Sequence, residues 1–296
     1  MDPSLRNRLT FGPIMLGLLI GLLVLDWAVE YWTRPLTSAG EGLKGVGLLL
    51  LLLPLLPPAT IELARIFALK FARPYRIIAG AGSTLLVLHA FCTQFPVFKP
   101  VSASLLMFIV VAIMLVAALR RSFLGTSRDA IIAMAGTLLA AIYVGGLAWF
   151  LMALRVRTGA HFSGTTFHVV MILLAVKFTD IGAYFSGKAL GKHKMIPWLS
   201  PGKTWEGLVG GLMLAGVVGA ACAPFIHDLH WYTAVYFGIL IGGFGQLGDL
   251  LESLMKRDAD VKDSGQLIPG FGGVLDVIDS PLLAFPVAYL LFSLGS

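Results

Sequence analysis

The chain has 296 residues, of which 57% are hydrophobic and 13% are charged, and its mean hydropathy is +0.87. This composition excludes an ordinary soluble protein, in which about a quarter of the residues are charged. The formal net charge is +6. The two cysteines, Cys92 and Cys222, lie in apolar runs, which argues against a disulfide framework and favours core positions. The composition therefore predicts a polytopic membrane protein with little mass outside the bilayer.

Apolar runs with charged flanks predict nine membrane-spanning helices. A bilayer core of about 30 Å requires about 20 apolar residues per spanning helix, and nine runs are long enough. The predicted spans are residues 12–32, 43–61, 77–95, 101–119, 130–153, 167–187, 205–226, 232–255 and 279–295. The first is too long, and carries Asp26 and Glu30 too deep, for a cleaved signal peptide. The predicted fold is an all-α, polytopic integral membrane helix bundle.

Basic residues are distributed unequally between the two sides of these spans. With a cytoplasmic N-terminus, sixteen of the 22 basic residues, Arg6 and Arg8 among them, fall on the cytoplasmic side, five fall outside, and Lys177 lies within a span. This bias follows the positive-inside rule and predicts a C-terminus outside. The basic face would also attract anionic membrane lipids, by about 1 kcal/mol per basic residue near the surface. A bacterial plasma (inner) membrane is the simplest location, and an organelle membrane stays open.

The chain divides by chemistry, although no internal repeat or long linker separates domains. Residues 1–165 are mostly aliphatic helices with short loops, whereas residues 177–280 hold ten of the sixteen acidic residues and two long polar stretches. We therefore expect a single integral membrane domain over residues 1–296. Membrane helices would fill residues 1–165, and residues 166–296 would form the catalytic portion.

The first polar stretch runs from Lys177 to Gly207 and mixes basic side chains with glycines. Lys177 and Asp180 can pair on one helix face, either as functional groups or as a structural ion pair between helices. Downstream, four lysines and a histidine lie among glycines that allow backbone N–H groups to approach a ligand, which suggests a polyphosphate site. The Gly202-Lys203-Thr204 segment is not a P-loop, because Pro197 stands where that motif requires glycine.

The second polar stretch presents four carboxylates as two pairs. Asp249 and Glu252 are three residues apart near the end of span eight, and Asp276 and Asp279 repeat that spacing at the start of span nine. Two such pairs on adjacent antiparallel helices would form an oxygen-rich pocket at the membrane surface, the ligand set that Mg²⁺ prefers. Without a cation these carboxylates would repel one another. The alternative is that Asp276 or Asp279 merely caps the ninth helix.

At these residues the sequence resembles the phosphatidate cytidylyltransferase (CDP-diacylglycerol synthase) family of integral membrane enzymes. The signature of that family has the form S-x-x-K-R-x4-K-D-x-G-x3-P-G-H-G-G-x-x-D-R-x-D. The matching positions here are Ser253, Lys256, Arg257, Lys262, Asp263, Gly265, Pro269, Gly270, Gly272, Gly273, Asp276 and Asp279. Phe271 replaces the usual His, Val277 replaces the usual Arg, and Gly202 stands where a Lys is common. With similar motifs upstream, the resemblance covers roughly residues 177–280.

The resemblance implies a nucleotidyltransferase of phospholipid biosynthesis that converts CTP and phosphatidic acid to CDP-diacylglycerol and pyrophosphate. It implies Mg²⁺ held by Asp249 and Asp276, with Asp279 and Asp263 assisting, and Lys203 as a catalytic contact to phosphate. The other residues expected to bind substrate are Asp180, Lys188, Lys192, His193, Lys194, Ser200, Pro201, Thr204, Glu206, Lys256, Arg257 and Lys262. A homodimer with an active site on the cytoplasmic face is also implied. Whether a second cation such as K⁺ binds stays open, and no nucleic acid partner is expected.

Two other classes of function stay open at this point. A transporter or lipid flippase would use Asp26, Lys177 and Asp180 as an intramembrane relay, but transporters commonly have interrupted helices in both halves, and here the polar segments lie only in the second. A related CTP-dependent enzyme would act on another lipid, as a polyprenol or phytol kinase does. The kinase would release CDP instead of pyrophosphate. The motif of the CDP-alcohol phosphotransferases has no counterpart in this sequence.

Overall fold

The computed structural model describes residues 3–36, 40–70, 73–125, 127–157 and 165–294, without the side chains of residues 3–6 and 8. Arg6 and Arg8, which contribute to the predicted cytoplasmic charge, therefore have side chains outside the described part. The chain divides into two compact units, one of Met1–Val156 with Asp258–Val277 and one of Arg157–Arg257 with Ile278–Ser296. The expectation of a single integral domain stays a prediction.

The described residues are mostly helical, which confirms the predicted all-α class. The helices are α1 (Pro3–Thr33), α2 (Val46–Lys70), α3 (Arg76–Cys92), α4 (Ser102–Phe123), α5 (Ala130–Ala141), α6 (Leu147–Arg155), α7 (Thr165–Leu190), α8 (Trp205–Cys222), α9 (Trp231–Asp258) and α10 (Leu275–Leu294). A two-stranded antiparallel hairpin, β1 (Lys194–Ile196) and β2 (Ser200–Thr204), lies between α7 and α8. Strands this short fall below what hydrophobic periodicity detects, so the sequence did not predict them.

Eight helical segments of the described part are long and apolar enough to cross a membrane. One of them comprises α5 and α6, which a π-helical turn over Ile142–Gly146 joins. The span predicted at 77–95 corresponds to α3, which has only 17 residues and is shorter than the roughly 20 that a bilayer core requires. The apolar helices identify a membrane protein, whereas the count of nine spans and the cytoplasmic N-terminus stay predictions.

In the first unit, a buried cluster of charges links α1, α2 and α6. Arg155 Nε donates to Asp26 Oδ2 at 2.5 Å, and Arg155 Nη2 donates to Glu30 Oε2 at 2.7 Å. The other oxygen of Asp26 accepts a hydrogen bond from the Gly47 N–H at 3.0 Å. The three charged side chains are at most 3% exposed, so each depends on its partners for the hydrogen bonds that water would otherwise supply.

In the second unit, glycines allow α9 to approach three other helices closely. Gly238 lies against the backbone of α8, Gly242 lies against a threonine of α7, and Gly248 lies against the backbone of α10. A methyl group at any of these positions would overlap its neighbour. Small residues permit such close backbone approach between membrane helices. The resulting packing positions the acidic residues of α7, α9 and α10.

Candidate active site

Three carboxylates from α9 and α10 form a cluster in the second unit. One oxygen from each of Asp249, Glu252 and Asp279 lies within 4.8 Å of the others. Glu252 and Asp279 are buried, and the Asp249 side chain is 33% exposed. The spacing of three residues on α9 places Asp249 and Glu252 on one face, as the sequence indicates, and α10 adds Asp279. The cluster therefore has a buried side and a side open to a ligand.

Two lysines contact this cluster. Lys203 Nζ lies 2.8 Å from Asp249 Oδ2 and also donates to the main-chain carbonyl of Gln246 at 3.3 Å. Lys256 Nζ, one turn after Glu252 on α9, lies 2.5 Å from Glu252 Oε2. Because Lys203 belongs to β2, the hairpin brings a cation to the face of α9 that carries the carboxylates.

The donor set of the cluster fits a hard divalent cation. All three groups offer carboxylate oxygen, and Mg²⁺ is held in proteins by one or two carboxylates together with waters and substrate phosphates. Carboxylates this close repel one another when ionised, and a bound cation removes that repulsion. Asp249, Glu252 and Asp279 therefore suit Mg²⁺ by ligand type and by proximity.

Asp180 on α7 is joined to α9 through an amide. Gln246 Nε2 donates to Asp180 Oδ1 at 2.6 Å, and Lys177 Nζ lies 3.9 Å from Asp180 Oδ2. The expected pairing of Lys177 with Asp180 is therefore present, and it fits both a functional and a structural role. The buried Gln246 was not among the predicted site residues, although an amide side chain within an apolar span was a signal for it.

The basic residues of the first polar stretch surround the hairpin. The strands pair Lys194 with Thr204 and Ile196 with Ser200. Five of the predicted substrate-binding residues in this region are exposed, namely Lys188, Lys192, His193, Lys194 and Pro201, whereas Ser200 and Lys203 are partly buried. The exposed cations therefore lie at the end of α7 and the start of the hairpin, whereas Lys203 of β2 lies against the carboxylates.

Glu206 and Thr204 fix the start of α8. His193 Nδ1 lies 2.6 Å from Glu206 Oε1, and the main-chain N–H of His193 also donates to the Glu206 carboxylate at 3.2 Å. Thr204 is the N-cap of α8, since its Oγ1 accepts a hydrogen bond from the Gly207 N–H at 3.1 Å. Both predicted substrate-binding residues are thus engaged in holding the hairpin against the helix.

The glycines at the end of α7 serve the packing of the hairpin. Gly187 and Gly191 both lie against the Thr204 side chain, and a methyl group at Gly191 would overlap it. The Gly191 N–H is donated to the Gly187 carbonyl at 3.1 Å. The Gly191 N–H is therefore already hydrogen-bonded within the chain. In this structure it is not one of the backbone N–H groups that could bind a ligand phosphate, as the sequence had suggested.

The loop between α9 and α10, residues 259–274, carries much of the family signature and is called the signature loop here. It belongs to the first unit and has its own network of hydrogen bonds. Asp276 accepts hydrogen bonds from the N–H of Ser264 at 3.0 Å and from the N–H of Gly273 at 2.7 Å. The Ser264 hydroxyl lies 2.9 Å from Asp276 Oδ2 and 3.2 Å from Glu62 Oε2. Asp276 thus holds two parts of the loop together. Its predicted metal role, and that of the exposed Asp263, stay predictions.

Glu62 on α2 supports this loop and was not predicted. Its carboxylate is buried, and Oε2 also accepts the N–H of Leu275, the first residue of α10, at 2.9 Å. A carboxylate in the apolar helix α2 was the signal for it in the sequence.

The remaining predicted substrate-binding residues differ in exposure. Lys256 is partly buried against Glu252, and Arg257 and Lys262 are exposed.

Comparison with known proteins places the chain in a family. The model described as "Cytidylyltransferase family" matches residues 41–294, which is most of the chain. The chain belongs to the cytidylyltransferase family. This result confirms the resemblance stated from the signature residues, and it extends the likeness into the N-terminal helices.

Several curated proteins are similar to this member of the cytidylyltransferase family. It is 41% identical over 165 residues to the phosphatidate cytidylyltransferase of Bacillus subtilis, covering 53% of this chain and 58% of the relative. It is 43% identical over 142 residues to the phosphatidate cytidylyltransferase of Haemophilus influenzae, covering 45% and 49%. It is 39% identical over 142 residues to the uncharacterized protein YnbB of Escherichia coli, covering 48% and 46%. The chain spans about half the length of the curated relatives it matches.

Proposed function

We propose that the chain is a phosphatidate cytidylyltransferase of the bacterial inner membrane, with its active site on the cytoplasmic face. The observation that carries the proposal is the ion pair of Lys203 with Asp249 inside the carboxylate cluster. In this pair a lysine, a residue type suited to bind phosphate, lies beside a carboxylate suited to bind a metal ion. Membership of the cytidylyltransferase family and the names of the relatives in B. subtilis and H. influenzae support the same activity.

The proposed reaction joins the CMP part of CTP to the phosphate of phosphatidic acid. A phosphate oxygen of the lipid forms a bond to the α-phosphorus of CTP, the bond from that phosphorus to the oxygen bridging to the β-phosphorus breaks, and pyrophosphate leaves. The attacking oxygen is already anionic, so the site needs no strong general base. Its main tasks are to position two anions and to neutralise their charge.

The chain's own residues suit these tasks. Asp249, Glu252 and Asp279 would hold Mg²⁺, which when bound neutralises phosphate charge and stabilises the pyrophosphate leaving group. Lys203, on the hairpin side of the cluster, would bind a phosphate oxygen of CTP. Lys256, beside Glu252, limits the negative charge that the cluster presents to an incoming anion. The exposed lysines Lys188, Lys192 and Lys194, at the end of α7 and the start of the hairpin, would attract the triphosphate from solution.

The experiment that tests this proposal is pyrophosphate release by the purified chain in mixed micelles with CTP and Mg²⁺, with and without phosphatidic acid. Release should require both the lipid and the metal, and the lipid product should carry the cytidine of CTP. Arg120→Gln is the matched control. Arg120 is an exposed basic residue of α4, and it belongs to the first unit, whereas the carboxylate cluster belongs to the second. It should retain full activity.

Two outcomes would overturn the proposal. Formation of CDP with a phosphorylated lipid would show a lipid kinase instead of a cytidylyltransferase. Absence of pyrophosphate release from folded protein, with CTP, Mg²⁺ and phosphatidic acid all present, would reject the reaction. Size-exclusion chromatography with light scattering on the same sample independently tests the homodimer that the resemblance implies.

A further inference from the structure

The first unit contains a cavity of about 490 Å³ that is lined by three arginines. Arg65 from α2, Arg73 from the segment after α2, and Arg76 at the start of α3 all line it. Asp263 of the signature loop is the one acidic residue among the lining residues. Three arginines and one aspartate among the lining residues carry a net charge of about +2, because arginine is always protonated in proteins.

These arginines are not used in ion pairs within the part of the chain that the structure describes. None of Arg65, Arg73 and Arg76 makes a side-chain hydrogen bond or salt bridge to another described residue. The neighbouring Lys70 differs, since its Nζ lies 3.0 Å from Asp260 Oδ2. All three side chains are exposed, and like charges near one another repel, so a bound anion would relieve that repulsion. The cavity therefore has the charge of an anion site.

The start of α3 adds to the positive potential. Arg76 is the first residue of this 17-residue helix, and the N-cap Tyr75 provides no side-chain hydrogen bond to the first turn. The exposed N–H groups at a helix N-terminus carry partial positive charge and bind anions such as phosphate. Arg76 thus brings a guanidinium group and the start of a helix to the same cavity.

The remaining lining fits a lipid better than a soluble ion. Ile66 and Leu69 of α2 provide an apolar wall beside the arginines. The volume lies within the range of about 300–1,000 Å³ that is typical of pockets for small organic ligands, which is far more than one phosphate ion requires. Basic pockets between membrane helices bind anionic lipid headgroups. A phosphate monoester carries a charge of about −2 near neutral pH, which matches the lining.

We propose that this cavity binds the phosphate monoester headgroup of a membrane lipid, with Arg65, Arg73 and Arg76 as its ligands. Guanidinium groups bind phosphate through paired N–H donors, so three of them can satisfy the terminal oxygens of one monoester. This inference deepens the proposed function. The choice of phosphatidic acid as the lipid rests on that proposed function. The signature loop contributes Asp263 and Ser264 to the same cavity, so an occupied headgroup site would contact the loop that Asp276 holds.

Binding without turnover tests the proposal. The purified chain, in detergent without CTP or Mg²⁺, is titrated calorimetrically with dihexanoyl phosphatidic acid, with glycerol 3-phosphate, with CTP, and with dihexanoyl phosphatidylglycerol. Phosphatidic acid should bind most tightly, since it combines the monoester with an apolar part. Arg73→Gln and Arg76→Gln should each weaken that binding about tenfold, the effect of losing one charged hydrogen-bonding group. Arg120→Gln, on α4, should bind like the unaltered chain.

The outcomes separate this site from the proposed reaction. Equal binding of phosphatidic acid by the arginine variants and by the unaltered chain would overturn the proposal. A loss of CTP binding in those variants with unchanged phosphatidic acid binding would assign the cavity to a soluble phosphate and also overturn it. Asp249→Asn, which lacks a cluster carboxylate, should still bind phosphatidic acid. Arginine-dependent binding in a chain that releases no pyrophosphate would therefore support the lipid site and reject the proposed reaction.

Discussion

Lys203 Nζ lies 2.8 Å from Asp249 Oδ2, so a residue of the hairpin strand β2 and a residue of α9 form an ion pair at the open side of the carboxylate cluster. The two residues are far apart in sequence, and the short hairpin is the element that brings the lysine back to α9. In the proposed reaction, this pair is where phosphate charge would be neutralised.

Lys203→Ala should lower kcat/KM for pyrophosphate release by about 100-fold or more, the usual effect of removing one group that stabilises developing charge. Asp249→Asn should be at least as damaging, because it removes a metal ligand and leaves Lys203 without its anion. Both variants should elute as folded protein in detergent. Near-normal turnover in either variant would contradict the assignment of this pair to the active site.

Removal of metal provides a test that does not depend on turnover. Mg²⁺ at 100 times its dissociation constant should raise the free energy of unfolding by about 2.7 kcal/mol, since it binds the folded state only. The thermal midpoint of the unaltered chain in detergent should therefore rise with Mg²⁺ and fall on addition of EDTA. Asp279→Asn should reduce that dependence, and Asp263→Asn should retain it if Asp249, Glu252 and Asp279 are the ligands.

An equal rise in the thermal midpoint of the Asp279→Asn protein would show that the cation binds elsewhere. The comparison with Asp263→Asn is informative because Asp263 is an exposed carboxylate of the signature loop, so its loss should cost little stability.

The N-cap of α8 is expected to matter for stability and for the hairpin. Thr204→Ala removes the acceptor for the Gly207 N–H and should lower the free energy of unfolding by about 1 kcal/mol. Thr204→Ser keeps the hydroxyl and should lie within a few tenths of a kcal/mol of the unaltered chain. Denaturant unfolding in detergent measures both. Equal stability of the alanine and serine variants would mean that the cap does not contribute.

Much of the fold was predictable because its signals are local. Runs of aliphatic residues predict helices directly, and the spacing of Asp249 and Glu252 places them on one face of α9 whatever the packing. The start of α10 was predicted four residues late, because Asp276 reads as a polar boundary while it lies in the first turn of the helix. The length of α3 was also overestimated, since the predicted span ran on to the apolar Phe95, which lies in the turns after Cys92.

The site was less predictable where it depends on contacts between distant segments. No local sequence pattern predicts that Gln246 hydrogen-bonds to Asp180. None predicts that Glu62 of α2 hydrogen-bonds to a loop about 200 residues later in the chain. Each is a polar residue in an apolar helix, which signals a partner without naming it. From the sequence alone, Arg65, Arg73 and Arg76 are indistinguishable from basic residues that only set membrane topology, and only the structure shows that they line one cavity.

Glu62 should stabilise the signature loop. Glu62→Ala leaves the Leu275 N–H and the Ser264 hydroxyl without this acceptor and should lower the free energy of unfolding by about 1–3 kcal/mol. Glu62→Gln keeps the shape and one carbonyl acceptor, so a smaller loss is expected. Thermal unfolding in detergent ranks the two variants, and a glutamine variant less stable than the alanine variant would contradict the hydrogen-bonding role.

The buried ion cluster of α1 and α6 gives the largest expected effect on stability. Arg155→Met removes the cation that Asp26 and Glu30 share. It leaves Glu30 with the more exposed Arg34 at 3.1 Å and the buried Asp26 with the Gly47 N–H, and should lower the free energy of unfolding by about 3–5 kcal/mol. Asp26→Asn alone should destabilise less, because Glu30 still pairs with the guanidinium group. In the double variant Asp26→Asn with Arg155→Met, the Asp26 carboxylate that Arg155 would have paired is gone, so the total loss should be smaller than the sum of the single losses. Strictly additive losses would show that Asp26 and Arg155 do not stabilise each other, and their ion pair could then not be what links α1 to α6.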